Sequence, residues 1–299
     1  MKVLAPLLVA ALALPGVARA AVDAPIAGTR SFAMGGAARA VPTSNDVLFV
    51  NPAGMAAVKR YGVELQYGYT SHDDVNRLSL SAVDSKNGPV AGGLAFSHVG
   101  GGVFTGGLNQ FYLGAGYAIS DSLAFGATLH YIRGGYDIFG TQPGDVSLYT
   151  GDVGVMVTLV EGLTLGFAYN NVVSGDQPLL APPILGGGVA FSTGAFTITG
   201  DMAMTVGTDQ ERQWGTSYHA GVEYFIADVV PVRLGYTRER ILVTTQTDLG
   251  ATRNAFPYES YLSGGLGYAM QSGSLELSYR HRLEKADDWG VVGALKFFL

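Results

Sequence analysis

From residue 61 onward the chain alternates apolar with small or polar residues, and this period of two constrains it more than any other feature of its 299 residues. Tyr61, Val63, Leu65, Tyr67 and Tyr69 share one side of the first such stretch, and Gly62, Glu64, Gln66 and Gly68 share the other. That spacing belongs to a β-strand rather than to a helix of period 3.6. It returns at Phe111/Leu113/Ala115/Tyr117/Ile119, Leu123/Phe125/Ala127/Leu129/Tyr131, Leu163/Leu165/Phe167/Tyr169, Val232/Leu234/Tyr236, Leu275/Leu277/Tyr279 and Val291/Gly293/Leu295/Phe297. A soluble sandwich alternates as well, but it needs an outer face rich in charge. Here charged residues make up 14%, hydrophobic ones 48%, and mean hydropathy is +0.25, so the apolar faces call for a solvent other than water.

Breaks between alternating stretches place strands near 61–70, 75–83, 89–99, 108–119, 122–133, 147–158, 162–170, 183–192, 195–205, 215–225, 230–238, 259–269, 273–282 and 288–298. About fourteen strands is an even number, as a membrane barrel needs. Tight links at Lys86–Gly88, Ser120–Ser122, Glu161–Gly162, Thr193–Gly194, Ala227–Asp228 and Gln271–Gly273 alternate with mostly longer ones at Gly100–Gly107, Gly134–Asp145, Val172–Pro182, Val206–Gly215 and Glu239–Tyr258. The fold expected is an all-β, transmembrane, antiparallel up-and-down barrel with short turns and both termini in the periplasm and long loops outside. Aromatics fall at both ends of the strands: Tyr69, Tyr131, Tyr169, Tyr236, Tyr279 and Trp289 at the outer rim, and Tyr61, Tyr117, Phe191, Tyr224, Tyr268 and Phe297 at the other. A preference of Tyr for strands explains their number but not this placement, whereas two interfacial girdles explain both.

Before the barrel, Lys2, an apolar run from Val3 to Leu14, Pro15-Gly16 and Ala18-Arg19-Ala20 have the form of a secretion signal, so residues 1–20 are expected to be cleaved and the mature chain to begin near Ala21. The run is too short for a membrane helix. Loss of Lys2 and Arg19 would leave 16 basic against 24 acidic residues, about −8, which argues against nucleic acid as a partner. With no cysteine there is neither a disulfide nor a thiolate metal site. No cofactor or metal cluster is expected.

Residues 21–60 do not alternate. They hold Gly28-Thr29-Arg30-Ser31-Phe32-Ala33-Met34-Gly35-Gly36-Ala37, then Ser44-Asn45-Asp46, then Asn51-Pro52-Ala53-Gly54-Met55. Asn51 suits a helix N-cap and Pro52 the first helical position, which predicts a short helix over Pro52–Val58. The glycine-rich stretch, the polar step and the Asn-Pro-Ala before the first strand resemble the N-terminal signature of FadL-like long-chain fatty-acid and hydrocarbon transporters and of related PorV-type outer-membrane barrels. The resemblance implies fourteen strands, a hatch formed by residues 21–60 inside a barrel of 61–299, and, in FadL-like members, passage of hydrophobic ligands to a side opening in the wall. The chain departs from the FadL-like pattern in its shorter length, which leaves little room for extended outer loops, and in ending on Leu299.

Candidates on the hatch are Phe32, Met34, Leu48, Phe49, Asn51, Pro52 and Met55. On the lumen phase lie Glu64, Gln66, Arg77, Tyr112, His130, Asp152, Asp201, His219, Glu223, Arg233, Glu276, Arg280 and Lys296. They would either set a polar constriction or brace the wall against the hatch, and bracing is favoured; Glu223 and Arg233 flank one hairpin and should meet. Gly92, Gly93, Gly100, Gly101 and Gly102 suit either an opening in the wall or tight lumen packing, and Gly186-Gly187-Gly188 has the same ambiguity. A membrane-face phospholipase would need Ser beside His, and none of the five His residues has Ser two residues on, so no enzyme is expected. Three functions remain, in this order: passive uptake of a hydrophobic, fatty-acid-like small molecule through a plugged barrel of the cell outer membrane; a PorV-type scaffold or shuttle for secreted proteins; and a general diffusion porin. Outer-membrane lipids are the common partner.

Overall fold

The computed structural model describes residues 28–298 apart from 73, 103, 137–143, 174–179, 207–214, 241–242, 247–251 and 256, and in addition Val17–Ala18. Fourteen strands form one closed antiparallel barrel. They are β1 (Tyr61–Thr70), β2 (Val75–Asp84), β3 (Val90–Gly101), β4 (Phe104–Ser120), β5 (Leu123–Tyr136), β6 (Gly144–Val160), β7 (Leu163–Asn170), β8 (Ile184–Ser192), β9 (Phe196–Thr205), β10 (Gly215–Ile226), β11 (Val230–Arg240), β12 (Tyr258–Met270), β13 (Gly273–Arg282) and β14 (Trp289–Phe298). Each pairs with its neighbour in sequence, and β14 closes on β1 from Gly290↔Thr70 to Phe298↔Gly62. Closure leaves the barrel no free edge.

Burial follows the sequence alternation. Along β1 Gly62, Glu64, Gln66, Gly68 and Thr70 are buried, while Leu65 and Tyr67 are exposed on the outer wall. Leu94, Leu113, Leu234, Leu266 and Leu277 each remain 58–59% exposed there. Moving such a side chain out of water is worth about 1.5–3 kcal/mol, so a wall of them fits hydrocarbon and not solvent. Rings on this wall form rows across strands: Phe96, Phe111, Tyr131 and Tyr149 follow one another with centroids 5.0, 6.3 and 4.6 Å apart. Trp289 sits 5.7 Å from Tyr69 and 6.5 Å from Tyr279.

Tight turns gather at one end of the barrel, at residues 85–89, 121–122, 161–162, 193–195, 227–229 and 271–272. Links at the other end differ from expectation in one place. The span Gly100–Gly107 is not a long loop, because β3 runs to Gly101 and β4 starts at Phe104, paired as Gly101↔Phe104. Gly101 and Gly102 have φ of 86° and 55°, the left-handed region that glycine enters without strain, and they turn the chain in the space of two residues. In the link between β11 and β12, Val243–Gln246 pairs with Thr252–Ala255, and Val17–Ala18 pairs with Thr244 and Thr245.

Three helices precede the barrel: α1 (Thr29–Ala33), α2 (Val47–Val50) and α3 (Gly54–Ala57). The helix expected over Pro52–Val58 is present in shortened form, as α3 over Gly54–Ala57. Asn51 Oδ1 accepts the N–H of Ala53 at 3.2 Å, but the N-cap of α3 is Ala53, with no side-chain cap, and Val58 is already extended. All three helices contact strands from the lumen side, α1 against β11–β14, α2 against β3 and α3 against β3–β6.

Candidate functional site

The lumen and the segment Gly28–Arg60 form one site. Because the barrel's lumen phase carries glycine at many heights, the segment can approach the wall backbone to backbone. A side chain at Gly235 would collide with Met34 and Gly35, one at Gly221 with Met34, one at Gly126 with Pro52, one at Gly166 with Arg39, and one at Gly154 with the Asn51 carboxamide. Gly93 and Gly114 make room for Leu48 and Met55. Gly35 and Gly36 turn at φ of 65° and 81°, and the Gly35 carbonyl is held by His219 Nδ1 at 2.7 Å and Thr237 Oγ1 at 2.6 Å.

Towards the tight-turn end, three acids and three cations alternate across the lumen. Arg30 grips Glu223 at two points, 2.6 and 3.0 Å. Glu223 also accepts from Arg233 at 2.6 Å, and Arg233 donates to Glu276 at 2.7 Å. Lys296 stands 3.2 Å from Glu276 and 3.8 Å from Glu64. All six are buried, and their charges balance, which is the condition under which ions are tolerated away from water. The segment enters this chain of pairs again through Thr29, which donates to Glu276 at 2.8 Å, and through the Asn45 N–H, which donates to Glu64 at 2.9 Å.

A second anchor is Asp201 on β9, which accepts the backbone N–H groups of Ala38 and Arg39 at 2.9 and 2.8 Å, with the Arg39 guanidinium 3.6 Å away. Gly186 and Gly188 make room here: side chains on them would strike Arg39 and Asp201. Asn51 is a third anchor, its amide donating to the carbonyls of Arg39 at 2.8 Å and Val155 at 3.2 Å.

Two large apolar clusters interrupt this polar lumen, beside a small one of Ala40, Val41 and Ala190. One joins Val47, Leu48, Phe49, Met55 and Ala56 of the segment to Val83, Ala91, Ala95, Tyr112 and Ala124 of the wall, with Phe49 edge-on to Tyr112 at 4.9 Å. The other lies at the long-link end: Val75, Val99, Phe104, Leu108, Ile132, Val146, Leu148, Leu180 and Ala181. Between them sits a polar layer in which Tyr112 lies 4.3 Å from His130 and donates to Gln110 at 2.7 Å. His130 Nε2 stands 2.7 Å from Asp152, and Asp152 accepts the N–H of Asn171 at 2.8 Å.

The residues singled out from sequence are therefore not one constellation. Glu64, Glu223, Arg233 and Glu276 come together; His130 and Asp152 form a separate pair; Asp201 belongs with Arg39. Arg280 lies over the rings of Phe32 and Tyr261, at 5.0 and 4.5 Å, and Arg77 is buried on β2. Leu48, Phe49 and Met55 share the first apolar cluster, but Phe32 and Met34 pack on the opposite wall. The strand ladder runs unbroken through Gly92↔Ala115 and Gly93↔Gly114, and its register shifts only between Val99 and Gly101. Sequence reasoning passed over Thr29, Arg30, Arg39 and Asn45. The signal was present: Arg30 and Arg39 are the only charges between Gly28 and Asn45.

Fold and lumen together define a class: a closed fourteen-strand antiparallel barrel with an apolar outer wall and with residues 28–60 packed against its inner face. No family model matches the chain, and neither does any curated protein. Solved structures do. The chain is similar to the Pseudomonas putida toluene transporter TodX (14% identity, 91% of this chain and 97% of that one, TM-score 0.65). It is also similar to the CymD monoaromatic hydrocarbon channel (15%, 91% and 96%, 0.63) and to a Pseudomonas aeruginosa FadL homologue (12%, 91% and 97%, 0.64). At these identities the likeness is one of fold, and the fold is that of the FadL-like barrels which the N-terminal segment resembles.

Proposed function

We propose that this barrel lies in the outer membrane and mediates passive uptake of small hydrophobic molecules. The observation that carries the reading is the pair of buried apolar clusters inside the lumen. A water-filled diffusion pore is lined by polar residues, whereas these clusters place apolar side chains inside the barrel where an apolar solute could meet them. The similar solved structures include a toluene transporter and a monoaromatic hydrocarbon channel, which supports the same class of solute.

In this reading residues 1–20 are a cleaved signal and the tight-turn end faces the periplasm. Residues 21–60 are the hatch. The cluster around Leu108 and Leu148 receives the solute from outside, and Leu48, Phe49 and Met55 meet it below. The register shift beside Gly100–Gly102 is the place where a side exit would interrupt the fewest paired residues. Uptake of a labelled monoaromatic solute in a strain lacking the gene tests this: the rate falls and the intact gene restores it. An unchanged rate, together with secreted proteins that co-purify with the barrel, would favour the scaffold instead.

A further inference from the structure

We infer that Arg238, Arg240 and Tyr258 form a binding site for the phosphate group of an outer-leaflet glycolipid, an inference that rests on the outer-membrane reading above. Arg238 lies 4.9 Å and Arg240 4.7 Å from the centroid of the same exposed Tyr258 ring. The three side chains belong to adjacent strands, with Arg240 directly opposite Tyr258 and Arg238 opposite Ser260. Among the described residues neither arginine has a carboxylate partner.

The acids nearby are engaged elsewhere. Glu239 and Glu259 lie in the lumen phase of the alternation, Glu259 paired with Arg282. Glu284, on the far side of β12, accepts the Ser260 N–H at 3.0 Å with both oxygens. A chain of net charge −6 thus keeps two guanidinium groups together on its outer wall with no carboxylate of the described residues paired to them.

Their height fits a headgroup. Leu234 and Tyr236 face outward on the same strand below them. Arg238 lies eight residues and Arg240 ten residues beyond Val230, where β11 leaves its tight turn. At about 3.3 Å per residue and about 40° of tilt this is about 20 and about 25 Å, which puts Arg240 at the upper edge of an apolar band about 25 Å tall and Arg238 about 5 Å below it, within reach of the edge for a long side chain. Guanidinium groups fork onto phosphate oxygens, and an aromatic face beneath them holds their planes for that contact.

The test uses the full mature barrel, folded in detergent as shown by its heat-modifiable migration, and native mass spectrometry with bisphosphorylated lipid A. The wild type retains the lipid, dephosphorylated lipid A is not retained, and Arg238→Gln with Arg240→Gln weakens retention about tenfold or more. Lys285→Gln, which removes a cation that already stands 3.6 Å from Asp287, leaves retention unchanged. Equal retention by the double variant, or of the dephosphorylated lipid, would overturn the inference. So would complete displacement by inorganic phosphate, which would make it a site for a soluble anion. Failure of the outer-membrane reading looks different: the protein would not fold into vesicles at all.

Discussion

Arg30 of the segment inside the barrel and Glu223 of the wall, 193 residues apart in the chain, meet in a two-point contact at 2.6 and 3.0 Å with both side chains buried. Glu223 accepts from Arg233 as well, so its removal leaves Arg30 without its acid and Arg233 with Glu276 alone. Breaking one partner out of a buried pair costs about 3–5 kcal/mol. Glu223→Ala should lower stability to urea by about that much, and Arg30→Met by clearly less, since it leaves the Glu223–Arg233 pair intact. Equilibrium unfolding of the barrel in vesicles compares them; equal losses would mean the segment and the wall do not share this acid.

Gly92 and Gly93 are neighbours with opposite surroundings. An added side chain at Gly92 meets nothing within 4 Å, whereas one at Gly93 meets Leu48 and Met55. Gly92→Val should therefore change stability by no more than about 0.5 kcal/mol. Gly93→Leu should displace the segment and raise ion conductance in planar bilayers. A Gly93→Leu barrel as silent as the wild type would show that the segment does not seal the lumen on this side.

Leu108 is fully buried in the apolar cluster at the long-link end. Leu108→Asn places an amide there, and an unsatisfied polar group in such a setting costs about 1–3 kcal/mol. Uptake of a labelled monoaromatic solute by cells should fall about tenfold while the amount of folded barrel in the outer membrane stays comparable. Uptake at the wild-type rate would remove this cluster from the path.

Asn51 makes three contacts through one carboxamide, to Arg39, Val155 and Ala53. Asn51→Ala should cost about 1–3 kcal/mol in the same unfolding measurement and increase protease cleavage within residues 28–60. Asn51→Asp, which keeps the Ala53 contact but cannot donate, should be nearly as damaging.

The strand phase was readable because each face of the wall meets a single kind of environment, so a period of two survives with little noise. Glu223 and Arg233 were readable as a pair because a hairpin fixes register, and they are opposite one another in the β10–β11 ladder. Alternation says which side chains face inward but not which heights coincide across the barrel, so Arg30 could not be matched to Glu223 nor Arg39 to Asp201. The segment itself was half legible. Asn51 and Pro52 announced a cap, yet α1 begins after Gly28 with no side-chain cap, and a helix of five residues has no periodicity to read. The link at Gly100–Gly107 was misjudged because glycines mark both loops and tight left-handed turns, and only the pairing of Gly101 with Phe104 decides between them.

Because the inner segment immediately precedes β1, and β1 must join β14 to close the sheet, the order of events in assembly is constrained. A ring sealed first would present glycine-lined walls with nothing between them, and threading a folded piece into it would mean stripping water from six ionised groups in a confined space. Sealing β14 onto β1 last, around a segment already in place, avoids that barrier.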